Sequence, residues 1–299
     1  MPFYPPSRAA WVRHPLAFAG LAVVLVLGWS SGFVGIRLAT EHASPILVLL
    51  WRNLVAGLLL LPFALLIGPR ISFRALGQQM AFGFVGMFLY LASFALAIGW
   101  RVPTGLVALI SDLVPLAIAV LSQPLLGQAL GARQWLGTAI GVLGVVIVSA
   151  DSLSLGAAPL FAYALPVAGM LLFAGMTVMQ KKLHAIHMPI HQSLAIQCLT
   201  AAGLFALWRL GDGGLMPPME ASFVLGIAWL VIAATFICYA VYYYLLRHHP
   251  PARVSAVVFL SPPVTMLWAF AMFGEPLTLT MGLGLGVTLA GVYLAALKA

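Results

Sequence analysis

Long uninterrupted apolar stretches constrain the fold of this sequence more than any other feature. Ten predominantly apolar windows lie near residues 16–37, 44–67, 75–99, 103–126, 134–150, 158–180, 189–208, 222–246, 252–273 and 278–297. About 20 such residues in a helix cross the hydrocarbon core of a bilayer. Because the windows are continuously apolar rather than alternating, they predict helices and not the strands of a membrane barrel. The sequence therefore predicts an all-α membrane protein with ten transmembrane helices.

Charged residues are too scarce for a soluble protein. Asp, Glu, Lys and Arg make up 7% of the 299 residues, whereas a soluble domain carries roughly 25%. The net charge of +8 would raise the question of nucleic acid in a soluble chain. Here the charges lie at the ends of the apolar windows. We therefore expect the lipid bilayer as the main partner, and no nucleic acid.

The basic residues are divided unequally between the two sets of loops. With a cytoplasmic N-terminus, the inside segments hold Arg8, Arg13, Arg70, Arg74, Arg133, Lys181, Lys182, Arg247, Arg253 and Lys298. The outside loops hold only Arg37, Arg101 and Arg209 as basic residues. Lys and Arg accumulate in cytoplasmic loops. We expect a multi-pass protein of the cell (inner) membrane with both termini in the cytoplasm.

The second half of the chain repeats the first. A shift of about 147 positions places Pro115 on Pro262, Gly127-Gln128 on Gly274-Glu275, Gly137 on Gly284, and Gly144-Val145 on Gly291-Val292. Each half contains five windows, and an odd number forces the second half to be inverted relative to the first. Inverted repeats are typical of secondary transporters, which hold their solute near the membrane midplane. We expect a cytoplasmic N-terminal tail at residues 1–15 and a first five-helix repeat at residues 16–150. A second, inverted five-helix repeat follows at residues 151–299.

The motifs resemble those of the drug/metabolite transporter superfamily, specifically its EamA-type members with ten helices. The resemblance rests on Gly28-Trp29-Ser30-Ser31-Gly32-Phe33, on Arg52, and on the two repeated proline and glycine patterns. Gln128 departs from it, because the family usually has Glu there. The resemblance implies an exporter of small metabolites, with exporters of amino acids, including aromatic ones, as the most similar members. It also implies a cavity between helices 1, 3 and 4 of the first half and 6, 8 and 9 of the second.

Three prolines mark the expected position of the transport site. Pro115, Pro262 and Pro263 lie within predicted spans, where each removes one helix hydrogen bond and frees a carbonyl. Interrupted helices at corresponding positions of two halves indicate a transport site. We predict helix breaks that take part in gating, the alternative being structural kinks without a ligand.

Two charges are placed to lie inside the hydrocarbon. Arg52 and Asp112 follow the starts of their helices at similar depth, roughly 10–14 Å at 1.5 Å per residue. An unpaired charge there costs at least about 2.5–3.5 kcal/mol. We predict that they form an intramembrane ion pair or face water in the cavity. Asp112 then either binds a substrate ammonium or a coupling proton, or only joins the second and fourth helices.

Further candidates for the cavity wall are aromatic or hydroxylic. They are Trp29, Ser30, Tyr90, Tyr163 and Tyr239, which together with Asp112 form the predicted substrate site. For each aromatic side chain, packing against neighbours is the alternative. Two small-residue motifs, Gly137-x-x-x-Gly141 and Gly282-x-x-x-Gly286, permit close helix contacts. They assign the fifth and tenth helices to scaffold or dimer packing rather than to the transport path.

Signs of enzymatic chemistry are weak. Residues 28–32 fit the G-x-S-x-G pattern of hydrolases, but that motif works at a strand-to-helix turn, and these residues lie in an apolar helix. His184, His187 and His191 could share a helix face, yet no acid or cysteine accompanies them, and a lipid-headgroup anchor fits better. No Walker motif is present. We expect no catalytic residues, no metal and no cofactor.

These observations together predict a membrane transporter that exports small metabolites, amino acids with aromatic or other neutral side chains above all. It would work by alternating access around a midplane cavity. A lipid flippase or scramblase is the alternative, and an intramembrane enzyme a more distant one. A monomer and a homodimer both fit this prediction.

Overall fold

The computed structural model describes residues 15–127, 131–154, 158–183, 188–248, 257–258 and 260–296. Within these ranges every regular element is helical, which confirms the all-α part of the predicted fold class. In chain order the helices are α1 (Pro15–Ala39), α2 (Pro45–Leu66), α3 (Phe73–Gly99), α4 (Thr104–Ser111 and Val114–Leu126), α5 (Ala132–Ser154), α6 (Leu160–Lys182), α7 (Ile190–Asp212), α8 (Ala221–Trp229, Leu230–Ile237 and Cys238–His248), α9 (Ser261–Phe273) and α10 (Leu279–Ala296).

Among the described residues, seven helices are long and apolar enough to cross a membrane: α1, α2, α3, α4, α6, α7 and α8. Shorter apolar stretches lie at Ala132–Val148 in α5 and Leu279–Leu294 in α10. The helix α9 is described from Ser261 onward, which leaves 13 residues. The helices therefore agree with repeated membrane crossing, while the number of ten spans and the inversion of the halves stay predictions.

The helix α4 is interrupted immediately before Pro115. The backbone N–H groups of Asp112 and Leu113 donate to the carbonyls of Ala108 and Ile110, at 3.0 and 3.1 Å. Pro115 has no N–H to continue the helical ladder. The chain therefore turns at Asp112 and Leu113 and resumes as a helix at Val114. In the second half, Pro262 and Pro263 lie in the first turn of α9, directly after a turn at Leu260.

Two helices contain π-helical stretches at matching places. In α3 the stretch is Phe84–Leu89, and in α8 it is Leu230–Ile237. The N–H of Tyr90 donates to the carbonyl of Val85, and that of Cys238 to Ala233, which in each case is five residues back. A shift of about 147 positions brings one stretch onto the other. Such stretches are rare and occur often at functional sites.

The helices α5 and α10 pack with their backbones in contact. A Cβ added to Gly144 would meet Gly284 and Thr288, and one added to Gly291 would meet Gly137 and Gly141. The contacts run in opposite order along the two helices, so α5 and α10 are antiparallel. We call this contact the glycine seam; its residues are Gly137, Gly141, Gly144, Gly284, Thr288 and Gly291.

The second small-residue motif does not take part in the glycine seam. No heavy atom lies within 4 Å of a Cβ added to Gly282 or Gly286. The prediction of a close contact through these two glycines within the chain is therefore wrong, whereas Gly137 and Gly141 do form one. The register differs because the face of α10 toward α5 carries Gly284, Thr288 and Gly291, which the shift of 147 places on Gly137, Gly141 and Gly144.

Small residues also bring α1 against α8. A Cβ on Gly28 would lie 3.2 Å from the Cβ of Cys238, and a Cβ on Gly35 would lie 2.9 Å from the side chains of Leu230 and Trp229. Glycines on one helix face let two helices approach closely. This close approach places the residues of α1 that lie between these two glycines, Trp29 and Phe33 among them, beside the π-helical stretch of α8.

Candidate functional site

A cavity lies between α1, α2, α3 and α8, and it encloses about 530 Å³ including its open mouth. Most of its wall is apolar or aromatic. The lining residues are Trp29, Gly32, Phe33, Ile36, Arg52, Tyr90, Leu91, Phe94, Ala234, Cys238 and Tyr239. Three of the predicted cavity residues, Trp29, Tyr90 and Tyr239, thus line the same cavity, and Arg52 lies with them.

The π-helical stretches place two of the tyrosines. Tyr90 is the first residue after the stretch in α3, and Tyr239 is the second residue after the stretch in α8. A π-helical turn holds more residues than an α-helical one, so it changes the direction in which the following side chains point. A regular α-helix with 3.6 residues per turn throughout α3 or α8 would have directed these two tyrosines to a different face of the helix.

An aromatic cluster fixes the orientation of Tyr90. The ring centroids of Phe94 and Phe173 each lie 4.6 Å from that of Tyr90, in tilted arrangements. The hydroxyl oxygen of Tyr90 lies 3.4 Å from the Oγ of Ser111. Aromatic pairs at such distances pack favourably and restrict the ring. Tyr90 therefore presents a fixed side chain to the cavity.

Arg52 and Asp112 do not form the predicted ion pair in this structure. The Nη2 of Arg52 donates to the Oγ1 of Thr235 on α8, at 3.4 Å. Asp112 instead accepts from the Oγ of Ser261, which lies 3.1 Å from both carboxylate oxygens. Tyr90 lies within electrostatic reach of both charges. Equal depth along two helices therefore did not mean contact, because each charged group meets a hydroxyl from the second half of the chain.

Asp112 belongs to a buried polar group that connects α1, α4 and α9. Besides the Ser261 hydroxyl, which donates to Asp112, the carbonyl of Ser261 accepts from Ser30 Oγ at 3.1 Å and from Thr265 Oγ1 at 2.9 Å. We call these four residues, Ser30, Asp112, Ser261 and Thr265, the hydroxyl cluster. All four are buried, and neither Ser30 nor Asp112 is among the residues that line the cavity.

The hydroxyl cluster lies beside the break of α4 and the first turn of α9. Asp112 is in the turn before Pro115, and Ser261 directly precedes Pro262. One side-chain contact thus joins the break of α4 to the first turn of α9. Tyr163, the remaining predicted cavity residue, lies on α6, is partly buried against the core, and does not line the cavity. Of the histidines considered for a metal, His184 and His187 lie outside the described residues.

A second polar contact joins α1, α4 and the loop after α9. The Glu275 carboxylate accepts from the backbone N–H of Thr104 at 2.8 Å and from its hydroxyl at 2.6 Å. The Nε of Arg37 lies 3.9 Å from the same carboxylate, and its guanidinium carbon lies 5.0 Å from the ring centroid of Phe273. Glu275 can reach Thr104 because Gly274 ends α9 in the left-handed conformation, with φ +65°.

Sequence reasoning missed three contacts of the candidate site, through Thr235, Ser261 and Glu275. Thr235 and Ser261 carry no motif, since a hydroxyl in an apolar helix usually bonds to its own backbone. Glu275 had a signal, the repeated glycine that ends α4 and α9. Both Gly127 and Gly274 have a positive φ, so the residue that follows each was a candidate for a tertiary contact.

Comparison with known proteins places the chain among transporters. An uncharacterized transporter of Archaeoglobus fulgidus is 27% identical over 272 residues, covering 90% of this chain and 95% of the relative. The uncharacterized inner membrane transporter YedA of Escherichia coli K12 is 27% identical, covering 95% and 92%. A probable amino-acid metabolite efflux pump of the same organism is 25% identical, covering 92% and 93%. A solved crystal structure has the same fold, with a TM-score of 0.65 and 18% identity over 94% of this chain and 96% of that one.

The family match explains why residues from both ends of the chain meet at the cavity. It occurs twice, over residues 17–150 and 160–297, and together these segments cover most of the chain. The first contributes Trp29, Arg52 and Tyr90 to the cavity, and the second contributes Ala234 and Tyr239. The chain belongs to the EamA-like transporter family of the drug/metabolite transporter superfamily and is a multi-pass membrane transporter.

Proposed function

We propose that this protein exports small metabolites, chiefly amino acids with aromatic or other neutral side chains, by alternating access around the cavity. The observation that carries the proposal is that residues of both family-matched segments line one cavity with a mostly apolar or aromatic wall. A binding site between two repeats is the arrangement that alternating access requires. The similarity to a probable amino-acid metabolite efflux pump supports the solute class.

In this proposal the two halves are residues 16–150 and 151–299, inverted relative to each other, with ten spans in total. The antiparallel packing of α5 and α10 supports the inversion, because the shift of 147 makes the two helices equivalent. The matching π-helical stretches support the equivalence of the two halves. With both termini in the cytoplasm, the contact of Glu275 with Thr104 and Arg37 lies at the outer end of the bundle.

The helix breaks at Pro115, Pro262 and Pro263 supply the moving parts of the proposed cycle. A break lets the two ends of a helix tilt separately, since fewer backbone hydrogen bonds join them. Asp112 and Ser261 connect the break of α4 to the first turn of α9. Movement of one half against the other therefore changes this contact, while Trp29, Tyr90 and Tyr239 contact the solute.

Uptake into proteoliposomes tests the proposal. Purified protein is reconstituted, and accumulation of a panel of radiolabelled amino acids is measured with and without a pH gradient. We expect accumulation of aromatic or other neutral amino acids above the level of empty vesicles. Accumulation of none of them refutes the proposal, and movement of a labelled phospholipid between leaflets would instead support a flippase or scramblase.

A pair of tryptophan variants connects transport to the cavity. Trp29 lines the cavity, whereas Trp135 on α5 is 47% exposed and is not among the lining residues. Losing the contact area of a large aromatic side chain weakens binding substantially. We expect Trp29→Ala to lower uptake at limiting solute concentration by about tenfold or more. Trp135→Ala should keep the uptake of the unmodified protein.

A further inference from the structure

Arg52 is a buried cation in the cavity wall without an acidic partner among the described residues. Its side chain is 7% exposed, and the hydrogen bond to Thr235, at 3.4 Å, is long. A guanidinium has five N–H donors. Most of these donors are therefore available to a solute. A charge in a membrane-spanning helix that faces a cavity is by default part of a functional site.

Thr235 holds Arg52 in position. The hydroxyl of Thr235 donates to the carbonyl of Leu230 at 2.9 Å, within the π-helical stretch of α8. Its lone pairs are thereby directed away from that carbonyl, and one of them accepts from Arg52. The guanidinium is consequently fixed from one side only. A planar guanidinium held in this way is prepared for a bidentate contact with a carboxylate.

No carboxylate among the described residues lines the cavity. Asp112, which is buried but does not line the cavity, accepts from Ser261 in the hydroxyl cluster. Besides Arg52, the titratable lining groups are Tyr90, Tyr239 and Cys238, which are neutral in their ordinary forms. The described wall thus offers a site for a negative charge, and none for a positive one.

We propose that Arg52 binds the carboxylate of the solute, and that the cavity accepts monocarboxylates with an apolar or aromatic body whether or not they carry an amino group. This proposal rests on the proposed function. It goes further by naming the carboxylate as the group of the solute that the protein recognises. The aromatic wall formed by Trp29, Phe33 and Tyr239 takes the body of the solute, and Thr235 is the positioning residue for Arg52.

Two analogues of phenylalanine test the contributions of its carboxylate and its amino group separately. 3-Phenylpropanoate keeps the carboxylate and lacks the amino group, whereas 2-phenylethylamine keeps the amino group and lacks the carboxylate. Binding to the purified full chain is measured as the rise in unfolding temperature with increasing analogue concentration. We expect stabilisation by 3-phenylpropanoate and none by the amine. Equal stabilisation by both compounds, or by neither, overturns the proposal without use of any variant.

An Arg52 variant then assigns the preference to one side chain. Loss of charge-assisted hydrogen bonds in Arg52→Gln should raise the half-saturating concentration of 3-phenylpropanoate by about 10- to 100-fold. Arg74→Gln is the matched control, because Arg74 is exposed in the first turn of α3. Should Arg52→Gln fail to fold, Thr235→Val tests the same site, with a smaller loss expected. Unchanged affinity in a folded Arg52→Gln variant overturns the proposal.

The outcome is distinguishable from failure of the proposed function. A protein that prefers 3-phenylpropanoate in binding but accumulates no solute in vesicles has the anion site and lacks the transport activity. A protein that accumulates phenylalanine, yet is inhibited by 2-phenylethylamine and not by 3-phenylpropanoate, is a transporter with a different mode of recognition.

Discussion

Replacement of Gly291 by alanine should weaken the glycine seam between α5 and α10. The added Cβ would lie 2.6 Å from the carbonyl oxygen of Gly137 and 2.7 Å from the Cα of Gly141, and still closer to the Gly141 nitrogen. Ordinary contact begins at 3.4 Å, so the helices must separate by more than about 0.8 Å to relieve all three contacts. All three obstructing atoms belong to the backbone, so no side-chain rotation can relieve the clash.

The cost follows from the size of this separation. A gap of about 0.5–1 Å removes a quarter to a half of the dispersion attraction between facing atoms. Overpacking of this kind destabilises proteins by about 1–3 kcal/mol, and the rigid backbone places Gly291→Ala at the upper end of that range. For a chain of this size we expect the unfolding temperature to fall by about 4–6 °C.

The assay compares two alanine variants of the same helix by thermal unfolding in one detergent. Gly286→Ala is the control, since no heavy atom lies within 4 Å of its added Cβ and alanine favours a helix over glycine. Gly286→Ala should unfold at the temperature of the unmodified protein or slightly above it. Equal unfolding temperatures for the two variants would show that the seam does not depend on close backbone contact.

Two further substitutions test the polar contacts between the halves. Ser261→Ala leaves the Asp112 carboxylate buried without its donor, so the free energy of unfolding should fall by about 1–3 kcal/mol. In a double-mutant cycle, adding Asp112→Asn should recover part of that loss. Strictly additive effects of the two substitutions would contradict the contact. Glu275→Gln loses the charge that faces Thr104 and Arg37, so we expect a loss of about 1 kcal/mol. The control Glu220→Gln removes an exposed charge at the start of α8 and should cost less, about 0.3 kcal/mol. Equal effects of the two would exclude a specific stabilising role for the Glu275 charge.

Features that depend on one helix were predictable from the sequence, and contacts between helices largely were not. The apolar windows, the break beside Pro115 and the aromatic residues Trp29, Tyr90 and Tyr239 follow from the properties of single segments. The hydrogen-bond partner of Arg52 was not predictable from its segment. The position of a residue along its helix fixes how deep it lies in the bundle, but not the direction in which its side chain points. The long flexible side chain of Arg52 reaches Thr235 on α8 instead of Asp112 on α4.

The glycine seam shows where more could have been extracted from the sequence. The shift of 147 places Gly137, Gly141 and Gly144 on Gly284, Thr288 and Gly291, and these are the residues that meet. A spacing motif within one helix selected Gly282 and Gly286, which face away. The π-helical stretches gave no such signal, since the choice between bonds four and five residues apart depends on neighbouring helices and not on residue type.

The two π-helical stretches also give the two family-matched segments of the chain the same local irregularity. One inserted residue is enough to convert an α-helical turn into a π-helical one, because the flanking helix can keep its contacts while the turn takes up the extra residue. The stretches at Phe84–Leu89 and Leu230–Ile237 occupy matching places in two segments that match one family. The two segments thus carry the same irregular turn, and each turn is followed within two residues by a tyrosine of the cavity wall, Tyr90 in one and Tyr239 in the other. Each segment therefore supplies one phenol group to the cavity by the same backbone irregularity.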